Sequence, residues 1–579
     1  MHNSIANSIN DRCVDAASAL CAALPFLIAF SQTPSTTLFN QLAAFAACGA
    51  TLVLLRCRRS PPSISLNAGV LAVAILLVMG VYSKLVGDLH AVLNWSYVAM
   101  TGAGLAVLFA AQQIDSSERE RCWANLSWAM LAAGLASVVV AVVQVFAPGL
   151  ADGDWIARSG LPGRAIGNMR QPNHLASLLM WSCIATVYLA ESGLLGRRGR
   201  LAMAALPSAL LGLVFGVVLS ASRTGMLAVL LLALWALLDR SLSARSRWSL
   251  LATPLMLALS WAFLSWWAHS HAQVFGAESR LAEGAGSPSR LAILSNALDL
   301  LQRYPWSGVG VGEFNLAWTM TPFPDRPVAF FDHTHDLPMQ LLVELGLPLG
   351  LLVLALLGTA LWKAWRYAYA ASGSEARIAR SALMMVLMIG LHSLLEYPLW
   401  YAYFLLPTAF ALGICSPRET LRLAADVRPA RWPRVAGAML LLGSAYAAWD
   451  YNKVVVIYAP PAGAASLEER IAIGQRSLFF STQADYAAAT SFSPGPEALA
   501  AAKRTAHNLI DARLMMAWAK SLHATGDTDR ARYVAARLRE FRNAAAKEWF
   551  EECETLAPGA PRPFQCDPPQ REYSYREMR

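Results

Sequence analysis

Charge is scarce in this chain: 15% of its 579 residues are Asp, Glu, Lys or Arg, against about a quarter in ordinary soluble proteins. That deficit excludes a single soluble domain. No Gly-x4-Gly-Lys-Ser/Thr segment is present, which removes the phosphate-loop route to ATP hydrolysis. The nine cysteines include no CxxC, and seven of them, from Cys13 to Cys415, are scattered in or beside hydrophobic spans. A zinc framework is therefore unsupported, and Cys553 with Cys566 remains as the one pair suited to a bridge. Residues 1–10 contain no Lys or Arg, so the first apolar run reads as a retained span and not as a cleavable leader.

Apolar sequence fills the space that charge leaves. The chain is 56% hydrophobic, its mean hydropathy is +0.41, and runs such as 201–221 and 337–361 reach the roughly 20 residues that cross a hydrocarbon core. An all-α, polytopic helical membrane protein is expected. About thirteen transmembrane helices are predicted, near 14–32, 37–55, 66–86, 91–113, 123–147, 173–192, 201–221, 224–239, 249–268, 337–362, 378–396, 398–415 and 433–449. Every second connection is basic: Arg56/Arg58/Arg59, Arg119/Arg121, Arg197/Arg198/Arg200, Arg240/Arg245/Arg247, Lys363/Arg366/Arg377/Arg380 and Arg418/Arg422/Arg428/Arg431/Arg434. The positive-inside rule then predicts a cytoplasmic N-terminus, with the alternate loops and everything after Asp450 on the other side. This use of arginine accounts for the +9 net charge, which gives little support to a nucleic-acid partner.

The predicted domains are a membrane domain over 14–450, containing a large outer loop at about 269–336, and a soluble helical tail over 451–579. A second outer segment covers about 148–172. In the large loop, Leu291, Leu294, Leu298 and Leu301 recur at helical spacing and predict a helix over 288–304. Tail helices are expected at roughly 466–477, 496–524 and 527–555. Residues 517–536 read equally as one tetratricopeptide-like unit or as an ordinary helical cap.

Polar groups that carry chemistry gather on the outer side. Asp332-His333-Thr334-His335-Asp336 precedes the tenth span. A histidine there suits proton removal from a hydroxyl near ambient pH, while solvation at a helix start or a His-x-His metal site are the alternatives. Arg223, in Ser222-Arg223-Thr224-Gly225, stands between two spans where a topological arginine is not expected, so an anionic ligand such as phosphate competes with lipid headgroups for it. Arg290 and Arg303 in the loop are weaker candidates. Gln171, Asn173 and His174 open the sixth span with amide and imidazole groups suited to sugar hydroxyls, or to capping. His392 through Glu396, Tyr397, Trp400 and Tyr401 form a polar and aromatic turn after the eleventh span, where an aromatic belt is the plain alternative. Asp152-Gly-Asp154 has the spacing of a metal-carboxylate pair but lies on the side where nucleotide sugars are not expected.

Together these motifs resemble the O-antigen ligase superfamily of bacterial glycan transferases: Ser222-Arg223, then Arg290, Pro305-Trp306-Ser307-Gly308-Val309-Gly310 and Phe314, then His335 through Gln340 and Glu344-Leu-Gly346. Within it, 167–174 and 392–400 are similar to the protein O-oligosaccharyltransferases of the PglL type. One departure is Asp336, where the family commonly has Asn; its charge would favour protonation of His335.

The resemblance implies en bloc transfer of a preassembled oligosaccharide from undecaprenyl pyrophosphate to Ser or Thr hydroxyls of periplasmic, pilin-like proteins. Inversion is expected, with no metal, nucleotide or other cofactor. His335, Arg223 and Arg290 are the implied catalytic residues. Gln171, Asn173, His174, His333, Glu396, Tyr397 and Tyr401 are the implied substrate-binding residues, in an inner-membrane protein whose partners are lipid-linked glycan, acceptor protein and membrane lipid. Ligation to lipid A core, glycan polymerisation and, from another class, a lipid-linked glycan flippase are the competing readings. A flippase should show deep ionisable groups and internal repeats, and no repeat is evident.

Overall fold

A computed structural model describes residues 2–55, 67–86, 91–196, 199–282, 289–416, 430–555 and 561–579. Among them every regular element is helical. A helix occupies each of the thirteen stretches read as spans, from His2–Leu27 to Trp432–Tyr458. Among the described residues, six helical stretches are long and apolar enough to cross a membrane by length and composition: Trp95–Gln113, Glu118–Phe146, Pro172–Glu191, Arg200–Ser220, Ala244–Ser270 and Leu337–Ala370. Leu38–Leu54, Ala68–Ser83, Arg223–Leu238 and Ala402–Ile414 are apolar but shorter. Arg56, Arg58, Arg59, Arg197, Arg198, Arg418, Arg422 and Arg428 of the basic connections lie outside the described residues.

The chain divides into two compact units. The first contains Met1–Ala74, Met100–Gly284 and Leu356–Tyr446. Its centre is the helix Pro172–Glu191, buried at every residue from His174 to Leu189. Along its length hydrogen bonds tie that helix to its neighbours: Trp181 Nε1 donates to Met385 O at 2.9 Å and Ser182 Oγ to Met130 O at 2.7 Å, for example. The segment before it is ordered by two buried amides. Gln144 accepts from Ile166 N and Gly167 N, both at 2.9 Å, and donates to Ala157 O at 2.6 Å. Asn168 donates to Leu27 O and Trp155 O and accepts from Ala157 N. Asp152 caps a local turn by accepting from Asp154 N, Trp155 N and Ile156 N. Those amides hold its carboxyl below the usual range and give the Asp-Gly-Asp spacing a structural explanation.

The second unit contains Ile75–Ala99, Ala285–Ala355 and Ala447–Arg579. The loop helix runs over Ser289–Arg303 as its leucine spacing predicts. Of the four leucines at that spacing Leu301 is buried, in a face with Ile293, Asn296, Ala297 and Leu300, whereas Leu291 stands 80% and Leu298 46% exposed. The tail has more breaks than its composition suggests. Residues 496–524 divide into Pro496–Thr505 and Ala512–Ala524, because Asp511 starts a new helix by accepting from Leu514 N at 2.8 Å. Thr528–Glu540 ends before Arg542, whose φ of 50° interrupts the predicted helix to 555. Ser481–Ser491 is an additional helix.

Within this unit, loop and tail residues form one core. The Arg326 guanidinium lies within 5.1 Å of the ring centres of Trp318, Phe323 and Phe541, and its Nε meets Glu540 Oε2 at 3.0 Å. Burial pushes Arg326 down to about 10 while the facing Glu540 carboxylate opposes the shift, so the guanidinium remains charged at neutral pH. Tyr533 OH donates to Met320 O at 2.7 Å, and Tyr575 OH to Val309 O at 2.8 Å. Cys553 and Cys566 are bridged, with Cα atoms 5.4 Å apart.

The helix Leu337–Ala370 is broken at Gly346, whose φ of 75° and ψ of 168° are non-helical. The tenth predicted span is thus a short helix followed by a longer one. Residues 347–370 alone give about 36 Å of helix, enough for a hydrocarbon core. Backbone groups released by the break pair with the glycine loop: the carbonyls of Val343 and Glu344 accept from Val309 N at 2.8 Å and Gly310 N at 3.0 Å, and Leu347 N donates to Pro305 O at 2.7 Å. Glycine is required on both sides of this contact. A Cβ on Gly308 would lie 2.4 Å from Glu344 O, and one on Gly346 would lie 2.5 Å from Trp306 O. The motifs around Gly308 and Gly346 are therefore halves of one joint.

Candidate active site

In the first unit, Gln171, Asn173, Ser222, His392 and Glu396 form a continuous polar cluster. Gln171 precedes Pro172 and caps its helix: its Oε1 accepts from His174 N at 2.7 Å, which turns Nε2 toward Glu396 Oε2, also at 2.7 Å. Asn173 Nδ2 donates to the other Glu396 oxygen. Asn173 Oδ1 accepts from Ser222 Oγ at 2.5 Å. Ser222 in turn accepts from Gly225 N at 3.0 Å and so caps the helix that Arg223 opens, after Ala221 has made a left-handed turn at φ 52°. Arg223 is half-buried and donates through Nη2 to the carbonyl of Arg280. A guanidinium is a planar fork of donors, the geometry that matches a phosphate group.

Glu396 is also 3.4 Å from His392 Nε2, and His392 Nδ1 lies 2.8 Å from Ser177 Oγ. His174 is 3% exposed. Its Nδ1 pairs with Tyr403 OH at 2.9 Å, and its ring meets Tyr401 edge-on at 4.5 Å. His174 is therefore held inside the helix packing by these two tyrosines. Tyr397 and Tyr401 stack at 6.2 Å, an aromatic surface suited to the apolar face of a sugar. Ser177 and Tyr403 are supporting residues that sequence reasoning did not select, and His392, placed by the sequence in the polar turn, joins them as a support for Glu396. The i to i+4 spacing of His392 and Glu396 and the i to i+3 spacing of His174 and Ser177 are the local signals for two of them.

In the second unit, His335 has φ 58°, a left-handed conformation that costs a non-glycine residue on the order of 1–3 kcal/mol. The turn is held by Thr334, whose Oγ1 donates to Asp336 O at 2.8 Å and accepts from Asp336 N at 3.3 Å. Asp336 Oδ1 accepts from Met339 N at 2.8 Å and starts the short helix. Burial pushes the Asp336 carboxyl above its usual range against that hydrogen bond. His333 Nδ1 lies 3.1 Å from Asp332 Oδ1. Burial works against ionisation of Asp332, and the facing His333 more than offsets it, so the carboxyl stays below its usual range. The His335 ring meets Phe331 edge-on at 5.3 Å. Arg290 occupies the first turn of Ser289–Arg303 and is half-buried. Among the described residues no three His, Cys, Asp or Glu side chains converge as a metal-binding group.

Three sequence families match the chain. "Protein glycosylation ligase" covers 165–190, with Gln171, Asn173 and His174. "O-Antigen ligase" covers 208–354, with Arg223, Arg290, His333 and His335. "Virulence factor membrane-bound polymerase, C-terminal" covers 381–552, with Glu396, Tyr397 and Tyr401. A "General O-oligosaccharyltransferase" of Acinetobacter baylyi (strain ATCC 33305 / BD413 / ADP1) is 27% identical over 369 residues, covering 60% of this chain and 61% of that protein. A "ComP-specific O-oligosaccharyltransferase" of the same organism is 23% identical over 330 residues, covering 54% and 56%. The chain thus spans about three-fifths of the length of the curated relatives it matches. With the apolar helices, these matches make it a membrane protein that resembles the O-antigen ligase superfamily and, within it, the protein O-oligosaccharyltransferases.

Proposed function

We propose that the protein is an O-linked oligosaccharyltransferase that moves a preassembled glycan from undecaprenyl pyrophosphate to Ser or Thr hydroxyls of pilin-like acceptors. The observation that carries this reading is the Gln171–Asn173–Glu396 cluster joined through Ser222 to the helix opened by Arg223. It brings hydroxyl-recognising groups to the helix start that carries Arg223, with Gln171 and Asn173 inside the stretch matched by "Protein glycosylation ligase", Arg223 inside that matched by "O-Antigen ligase" and Glu396 inside that matched by "Virulence factor membrane-bound polymerase, C-terminal". Arg223 and Arg290 neutralise the pyrophosphate and stabilise the charge that grows on it as the glycosidic bond breaks. His335 removes the proton from the acceptor hydroxyl, which attacks the anomeric carbon from the face opposite the leaving group and inverts it. The chain crosses the bacterial inner membrane about thirteen times, with its N-terminus cytoplasmic and its active site and tail periplasmic. The tail contributes to acceptor docking.

The matches to "O-Antigen ligase" and "Virulence factor membrane-bound polymerase, C-terminal" favour one second reading, in which the same chemistry serves a lipid A core or a growing polysaccharide. Expression in ligase-deficient cells that make a lipid-linked glycan separates the two. Glycan on protein supports the proposal; glycan confined to lipid A or to longer polymer supports the second reading.

A further inference from the structure

We propose that Gln340 and Glu344 are positioning residues for His335, acting by holding the left-handed turn that carries it. This rests on the reading of His335 as the base. A left-handed histidine persists only where its surroundings over-determine the backbone. Thr334 N donates to Gln340 Oε1 at 2.8 Å, and both residues are 2% exposed, so water is a poor substitute for that acceptor. The helix start itself does not require the contact, because Asp336 already caps it through Met339 N. Gln340 reaches back across the first helical turn to the residue before His335, and its contact serves the turn.

Glu344 sets the orientation of that amide. Its Oε1 accepts from Gln340 Nε2 at 3.0 Å, which points Gln340 Oε1 at Thr334. The same oxygen accepts from Gly312 N at 3.0 Å, and the Glu344 carbonyl accepts from Gly310 N. One residue thus joins the glycine loop to the histidine turn. The loop is anchored in turn by Glu313, 1% exposed, which meets His507 Nδ1 at 2.9 Å and Arg579 Nη2 at 3.2 Å. Loss of Gln340 leaves the Thr334 N–H buried without an acceptor and lets the turn relax, carrying the imidazole away from its working position.

The test compares the full chain with Gln340→Ala, Glu344→Ala, Glu344→Gln and His335→Ala. It reads steady-state transfer from lipid-linked glycan and backbone hydrogen exchange across 333–336. A displacement of about 1 Å at a catalytic group costs up to about a hundredfold in rate. Gln340→Ala and Glu344→Ala should lower kcat about tenfold or more with donor KM nearly unchanged, and should speed exchange at 334–336 while exchange elsewhere stays as in wild type. Glu344→Gln should recover most of kcat, because its amide oxygen still accepts from Gly312 N and Gln340 Nε2. Faster exchange with wild-type kcat overturns the proposal. So does a Glu344→Gln variant as slow as Glu344→Ala, since the charge and not the geometry would then be required. Wild-type transfer by His335→Ala removes the base reading itself, whatever the exchange data show.

Discussion

Gln171 Nε2 and Glu396 Oε2 are 2.7 Å apart although 225 positions separate them in the chain. This contact joins the start of the helix Pro172–Glu191 to the turn that follows Gly373–Ser393. Because Asn173 and His392 converge on the same carboxylate, Glu396 is the organising group of the first cluster.

Glu396→Ala should therefore cost more than its own contacts. It leaves two half-buried amide donors and the buried His392 without the carboxylate, a loss of about 1–3 kcal/mol for a buried group left unsatisfied and less for the amides that water can reach. Transfer should fall at least about tenfold, with lowered thermal stability. Glu396→Gln should be intermediate, since its amide nitrogen opposes one of the donors that the carboxylate accepts. Turnover and melting temperature of detergent-purified variants check both effects.

Arg223→Ala should abolish transfer without lowering expression. Arg223→Lys should recover only part of it, because an ammonium lacks the bidentate fork that fits a phosphate group. Donor-saturation kinetics on the two variants measure the difference.

The helices were legible because apolar runs and helix-starting residues are local signals. Gln171 before Pro172 and Ser222 before Arg223 both proved to be caps. The break at Gly346 was hidden, since its cause is the loop at Gly308, 38 positions away, closing against it. The union of loop and tail was equally invisible: Arg326 pairs with Glu540 across 214 positions, and no local pattern announces such a contact. Motif resemblance brought Gln171, Asn173 and Glu396 into one list, but it could not show that they bond to one another. Tyr403 escaped notice because an aromatic residue near a span end reads as membrane belt.

Arg326→Ala should destabilise the second unit by about 2 kcal/mol or more, since it empties a site between three aromatic rings and removes the donors to Trp318 O and Thr321 O, while Glu540 keeps Arg537 at 2.9 Å. Arg326→Lys should restore only part of this stability. Hydrogen exchange across 318–326 and 533–541 under mild denaturant reads the change within this unit.

Opening the Cys553–Cys566 bridge with a double serine substitution should lower tail stability by roughly 3 kcal/mol. Mass spectrometry of nonreduced peptides should recover the two cysteines linked in wild type.

Asp336→Asn keeps a good helix cap and removes a carboxyl that burial pushes above its usual range. A raised folded-state pKa favours the protonated form, so the penalty appears as pH rises through that pKa and vanishes below the unfolded one. The variant should melt higher than wild type at about pH 7.5 and no higher at about pH 3.5, by thermal unfolding at the two values.

The most direct test of the central claim is the mass of a Ser-containing acceptor peptide after incubation with purified protein and undecaprenyl-pyrophosphate-linked oligosaccharide. The account predicts a single increment equal to the whole glycan, present with wild type and absent with His335→Ala. An unmodified peptide, or a ladder growing by one sugar at a time, would contradict it.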